Sequence, residues 1–435
     1  MYRLVARAVP VTTNELRALL WSFAYFFTLL AGYYVLRPLR DQMGIAGGVR
    51  NLPWLFTATF VVLLVLQPVY GALVARLPRS RFIPIVYHFF VMNIVLFWLM
   101  LMLGLHTVVV ARVFFVWVSV FNLFAVTVFW SFMADLFTSE QGKRLFGFIG
   151  AGGTAGALLG PLITIVLSIP LGPVNLLIAA AIFLEAAIFC VYRLERASRL
   201  PPRENAMPAT VPSAADNRLG GSAFAALAEV ARSPYLLGIA AWVSLLSFGG
   251  TFLYYEQANI VAANIPDRSS QTRLFASIDL AVSILTLATQ AFATGKLIAR
   301  FGVGRAAAAL PALYVGGFAI LALMPGVAVV LVLQVLQRTM NFAIANPARQ
   351  VFFTVVNREE KYKAKNLIDV VVFRGSDALY GWVFDSLQAI GLKLGIIALC
   401  AIPVALGWTL LSAALGRTHE RLVVEISMQD ATKTT

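Results

Sequence analysis

The sequence predicts an all-α membrane protein: twelve transmembrane helices in two six-helix halves related by pseudo-two-fold symmetry. Three observations carry that expectation, namely the composition, the lengths of the apolar runs and a loop motif that occurs twice. Of 435 residues, 60% are hydrophobic and 12% charged, and the mean hydropathy is +0.83. A soluble chain is about 45–50% apolar and about 25% charged. Too little polar surface remains to cover a fold in water, so lipid is the expected solvent over most of the chain.

Twelve apolar runs lie near 18–37, 53–75, 82–103, 108–134, 145–168, 173–193, 235–256, 273–299, 306–324, 327–349, 366–388 and 392–415. A helix needs about 20 residues to cross roughly 30 Å of hydrocarbon. None of the runs alternates with a period of two, which argues against a β-barrel. In lipid each segment has to satisfy its own backbone groups, so helices are expected. The first run follows Arg3, Arg7 and Arg17 as a signal peptide would. No small-residue cleavage site comes after it, so it reads as the first helix. The longest polar interruption, 194–232, holds Pro201, Pro202, Pro208 and Pro212 and reads as a flexible linker. The expected division is therefore 1–193, a six-helix half; 194–232, a cytoplasmic linker; 233–416, a second six-helix half; and 417–435, a cytoplasmic tail.

Charge placement sets the expected orientation. With the N-terminus cytoplasmic, seven of the 34 lysines and arginines fall in outer segments: Arg37, Arg40, Arg50, Arg112, Arg268, Arg273 and Lys393. Arg338 and Arg374 fall within spans, and the rest are cytoplasmic. That bias places both termini and the linker in the cytoplasm of a cell that carries the protein in its inner membrane. The net charge of +14 sits in short loops between apolar runs, so nucleic acid is not an expected partner. Cys190 and Cys400 stand far apart, and His88, His106 and His419 are scattered, so neither a disulfide framework nor a metal site is expected. A phosphate-cradling Gly-x4-Gly-Lys-Ser/Thr loop is absent, and no cofactor or enzymatic activity is expected.

The two halves repeat a motif. Gly71-Ala-Leu-Val-Ala-Arg76 ends the second run, and Gly295-Lys-Leu-Ile-Ala-Arg300 ends the eighth. Each resembles the loop signature of the major facilitator superfamily, with alanine in place of its aspartate. Glycine there allows helices to approach, and arginine can cap helix C-termini. The fifth run carries Gly147, Gly156 and Gly160-Pro161, similar to that superfamily's antiporter motif. Ordinary close helix packing accounts for the same spacing. An internal repeat of this kind marks secondary transporters, which hold substrate between their halves.

Ionisable residues within spans are costly and are functional candidates by default. They are Glu185, Glu256, Asp279, Arg338, Asp369, Arg374, Asp377 and Asp385, joined by Arg37, Arg40 and Asp41 at the end of the first span. Arg338, followed by Asn341 and Asn346, lies inside the tenth run and is read either as a substrate contact or as the partner of a carboxylate such as Asp279. Arg374 and Asp377 share a helical turn and can neutralise one another. Asp279, Asp369 and Asp377 are coupling or ion-pair candidates.

Glu359-Glu360-Lys361-Tyr-Lys363-Ala-Lys365-Asn-Leu-Ile368-Asp369-Val370-Val371 resembles a stretch of the ATP:ADP antiporter family, the nucleotide transporters of plastids and obligate intracellular bacteria. Leu36-Arg37-Pro-Leu-Arg40-Asp41, Phe129-Trp130 with Lys143-Arg144, and Asn341-Phe342 to Gln350 are similar to further family segments in the same order. The resemblance implies exchange of a nucleoside triphosphate for a diphosphate. It also implies transport roles for a basic residue of span one, mapping to Arg40, and an acidic residue of span seven, mapping to Glu256. A basic residue of span eleven maps to Lys365 or Arg374. Family charges elsewhere are replaced here by Asn341, Asn346 and Gln350.

Three functions are therefore in play. One is an antiporter of nucleotides or related organic phosphates that binds an anionic small molecule through Arg37, Arg40, Glu256, Arg338, Asn341, Lys365 and Arg374. Another is a proton-coupled carrier of amphipathic small molecules, and the last is a membrane scaffold or receptor. The superfamily resemblance implies a monomer in the lipid bilayer.

Overall fold

The computed structural model describes residues 13–76, 79–198, 230–356, 364–365 and 367–434. All regular structure among them is helical: α1 (Thr13–Ala46), α2 (Leu52–Arg76), α3 (Arg79–Met102), α4 (Thr107–Leu136), α5 (Ser139–Leu167), α6 (Gly172–Ser198), α7 (Pro234–Asn264), α8 (Arg268–Phe292), α9 (Thr294–Leu323), α10 (Val327–Met340), α11 (Asn346–Phe352), α12 (Phe373–Ala389) and α13 (Leu394–Thr434). Two π-helical segments, Asn341–Ala345 and Leu367–Val372, lead into α11 and α12. Among the described residues the chain is all-helical, with the many long apolar helices of a multi-pass membrane protein.

Eleven helical stretches among the described residues are long and apolar enough to span a membrane. The expected eleventh run, 366–388, is not one of them. It is split into a six-residue π-helix and the 17-residue α12, and it carries Asp369, Arg374, Asp377 and Asp385. Charge sets it apart. Residues 417–434, placed by the sequence in a cytoplasmic tail, continue α13, which runs for 41 residues to Thr434. At 1.5 Å per residue that helix is about twice the thickness of a bilayer core. Most of the expected linker, residues 199–229, lies outside the described residues. So do Glu359 to Lys363 and the side chains of Gly71 and Arg76. Gly295 has open space where a Cβ would stand, so no helix approaches it closely, and Arg300 is exposed above the Phe301 ring.

The helices form two compact units, each assembled from separate stretches of chain. Unit 1 comprises Met1–Gly48, Val65–Arg218 and Ile265–Leu280; unit 2 comprises Val49–Leu64, Leu219–Asn264 and Ala281–Thr435. In unit 1 the core is aromatic. Phe26 stacks on Phe129 at 4.1 Å, and the Tyr25 and Tyr87 hydroxyls meet at 2.6 Å, with Tyr87 donating to the Ala125 carbonyl. Large apolar side chains such as Ile182, Phe292, Leu323 and Leu410 are exposed. Such a surface suits contact with lipid rather than with water.

Unit 1 is tightest where α5 crosses α1. A Cβ on Gly156 would stand 2.3 Å from the Phe27 carbonyl oxygen, and one on Gly160 would stand 2.6 Å from that of Ala31. Gly152 continues the stripe against Phe23, so small residues every fourth position let two backbones touch. Pro161 lies within the same helix just past the contact. The N-terminus of α5 is closed by a capping box between Thr138 and Gln141. Glu15 of α1 accepts from Gln141 and pairs with Arg144 at 3.1 Å. Asp267 caps α8 by accepting from the Ser270 N–H. Hydrogen bonds from the Ser270 hydroxyl and then its N–H hold the Asp267 carboxyl below the ordinary range, so the cap persists at neutral pH and is lost as pH falls through that lowered value.

In unit 2, Pro347 explains the first π segment. Proline has no N–H, so carbonyls one turn back lose their helical donor. Thr294 donates to the Ala343 carbonyl at 2.8 Å, and Gln290 donates to the Phe342 carbonyl at 3.2 Å. Two side chains thus satisfy the groups that the proline leaves open. Thr294→Val is expected to lower stability by about 1–3 kcal/mol, the cost of an unsatisfied buried acceptor, and thermal unfolding of the detergent-solubilised protein measures it.

Candidate functional site

Within unit 1 the charged residues at the end of α1 gather around one buried carboxylate. Asp279 of α8 is 1% exposed, and the Arg37 guanidinium approaches it at 3.6 Å. Arg37 also lies 5.8 Å from the Tyr34 ring centroid. One turn on, Arg40 lies over the Phe115 ring at 4.3 Å and 3.6 Å from Asp41. The spacing of 34, 37, 40 and 41 puts a tyrosine, two guanidiniums and a carboxylate on neighbouring positions of a single helix. Such a set can bind phosphate through arginine forks and stack a planar ring. Arg112 serves the backbone instead, since its Nε donates to the Gly47 carbonyl just beyond α1 and closes that helix end.

In unit 2 the candidates fall into three groups. The first joins α7 and α12. Asp377 accepts hydrogen bonds from Ser247 and Thr251 and pairs with Arg374 at 3.3 Å. Ser244 bonds to Ser376 at 2.8 Å and to the Tyr380 hydroxyl at 3.2 Å. These hydroxyls are absent from the sequence candidates. Their signal is positional: 244, 247 and 251 repeat at three and four residues along α7, opposite 376, 377 and 380 along α12.

The second group lies at the two π segments. Arg349 stands 3.0 Å from Asp369, which is inside Leu367–Val372, and Lys365 donates to Gln350 at 2.7 Å. Two neighbouring residues of α11 thus hold the chain entering the second π segment. Asn341 opens the first, and its side-chain carbonyl is buried without a hydrogen-bond donor among the described residues. Arg338 is half-buried one turn before it. Asp279 is met by Arg37. Beside Arg338, Tyr314 donates to Gln337, which donates to Gln334, a buried chain that packs α10 on α9.

Glu256 forms the third group alone. It lies in α7 with 0% exposure, and neither carboxyl oxygen has a hydrogen-bond partner among the described residues. Π-helical turns and unsatisfied buried polar groups both concentrate at functional sites, and unit 2 has them together in the tenth and eleventh spans.

No protein-family model matches the sequence, and no curated protein matches it significantly. Solved structures share the fold. A bacterial homologue of the human lysosomal transporter Spinster aligns with a TM-score of 0.54 at 15% identity, over 96% of each chain. The nucleoside transporter NupG aligns at 0.54 and 14%, over 95% of this chain and 99% of that one. A bacterial homologue of the iron transporter ferroportin aligns at 0.64 and 11%, over 93% and 98%. The chain therefore shares the fold of these proteins.

Proposed function

We propose that the protein is a secondary transporter that exchanges nucleotides, or related organic phosphates, by alternating access. The observation that carries this reading is the Arg37–Asp279 pair beside Arg40 and two aromatic rings. A polyanion competes with Asp279 for Arg37, so substrate and carboxylate exchange a shared partner. Arg338, Asn341, Lys365 and Arg374 supply the donors of unit 2. The six-helix division at 194–232, cytoplasmic termini, residence in the inner membrane and a monomeric state complete the proposal. Proteoliposomes loaded with ADP test it: uptake of labelled ATP should rise with internal ADP. Uptake that is absent, or indifferent to the internal nucleotide, would remove the nucleotide reading.

A second reading, proton-coupled transport of amphipathic molecules, is favoured by Glu256. An unpaired buried carboxylate costs several kcal/mol, which suits a group that takes up a proton during the cycle. Glu256→Gln is expected to abolish any response of uptake to an imposed pH gradient while leaving the amount of folded protein unchanged. A gradient response that survives the substitution would exclude Glu256 as the carrier.

A further inference from the structure

Unit 2 contains a cavity that, of the candidates above, takes in Asp385 alone. It has a volume of about 950 Å³ and opens at the C-terminal end of α7. Arg50, Asn259, Asn264, Asp385, Gln388 and Lys393 supply its polar lining. The cations come from well-separated stretches, a turn before α2 and the residue before α13, so the fold rather than the chain brings them to one cavity.

Three features set the chemistry. Arg50 and Lys393 line the cavity and form no ion pair among the described residues, so neither charge is neutralised there by a carboxylate contact. Lys393 also precedes the first turn of α13, whose leading N–H groups are positive and lie in the wall at Leu394 and Gly395. Asn259 and Asn264 donate their amide groups back to the Tyr255 and Ile260 carbonyls, which leaves their side-chain oxygens as acceptors. Asp385 is a further acceptor. The lining therefore offers cations to an anion and acceptors to hydroxyl groups.

We infer that this cavity is a second binding site, separate from the intramembrane cations, for a phosphate ester that carries free hydroxyls. A glycerol phosphate has that pattern, whether as a soluble organic phosphate or as the headgroup of phosphatidylglycerol. The inference does not depend on nucleotide exchange.

The test uses the full-length protein in nanodiscs, with sn-glycerol 3-phosphate as the soluble probe and phosphatidylglycerol as the lipid probe. In phosphatidylcholine discs, calorimetric binding of glycerol 3-phosphate should weaken by about tenfold or more in Arg50→Ala/Lys393→Ala, the loss of at least one charge-assisted contact. Arg37→Gln should leave this binding unchanged, which separates the cavity from the proposed transport site. The exchanged pair Arg50→Lys/Lys393→Arg should retain it. In discs containing phosphatidylglycerol, native mass spectrometry should show less of that lipid retained by the double alanine variant if the headgroup is the occupant. Loss in either arm supports the site and names its source. If neither probe binds in a way that depends on Arg50 and Lys393, with both proteins equally stable to heat, the inference is wrong.

Discussion

Gly156→Leu is expected to yield no folded protein. The Cβ alone would stand 2.3 Å from the Phe27 carbonyl oxygen and 2.8 Å from the Ala31 nitrogen. Both are backbone atoms of α1, so no side-chain rotation relieves the contact. Inserting one methyl into a packed core costs about 1–3 kcal/mol when neighbours can adjust. Here a whole helix has to move, and that helix carries Arg37 and Arg40. Gly156→Ala is therefore expected to fall at or above the top of that range. The same helix supplies the control. Gly147 and Gly150 have nothing within 4 Å of their Cβ positions. Alanine there should be neutral, or stabilising by up to about 1 kcal/mol through helix propensity. Thermal unfolding and size-exclusion profiles in detergent separate these outcomes. Equal tolerance at 147 and 156 would refute close contact between α1 and α5.

Breaking the Arg37–Asp279 pair has the second large effect. Asp279 is nearly inaccessible and Arg37 is 17% exposed at its side chain, so water screens the pair little. Removing one member of a buried pair costs about 3–5 kcal/mol, because the remaining charge loses its partner. Arg37→Gln and Asp279→Asn should each lower stability in that range. Arg37→Met with Asp279→Leu should recover most of the loss, since apolar replacement of both partners is often neutral. Exchange should remain abolished in the double variant, because the anion has lost its arginine. Transport restored along with stability would make the pair purely structural.

Much of the architecture is open to sequence reasoning because the bilayer imposes it. Eleven of the twelve expected spans appear as helices long and apolar enough to cross. The exception, at 366–388, is instructive. Hydropathy finds its extent, but the stretch carries four charged residues whose partners hydropathy does not see: Arg349 meets Asp369, and Gln350 just beyond receives Lys365. Hydropathy sums residue properties and contains no contribution from a partner twenty residues away. At 417–434 the loss of apolar character does not end the helix, and α13 continues.

The site divides in the same way. The expense of charge in lipid singles out Arg37, Asp279, Glu256 and Asp377 without any coordinates. Pairing does not follow from that expense. Asp279 lies in the eighth expected span but belongs to the same compact unit as Arg37, so the fold joins residues 242 positions apart. Glu256 has no hydrogen-bond partner among the described residues, which its place in the sequence does not reveal. The hydroxyls around Asp377 are individually ordinary polar residues that become a cluster only when α7 packs on α12.

That this chain spans a membrane many times as helices, and which of its residues are too polar to be there without cause, can be read from the order of amino acids. Those conclusions follow from transfer free energy and from the length of a helical turn, which are local properties. Which charge meets which, where two backbones touch, and that Arg50 and Lys393 line one cavity are settled by the three-dimensional packing. Those facts depend on distances across the fold, and a free energy summed along the chain does not contain them.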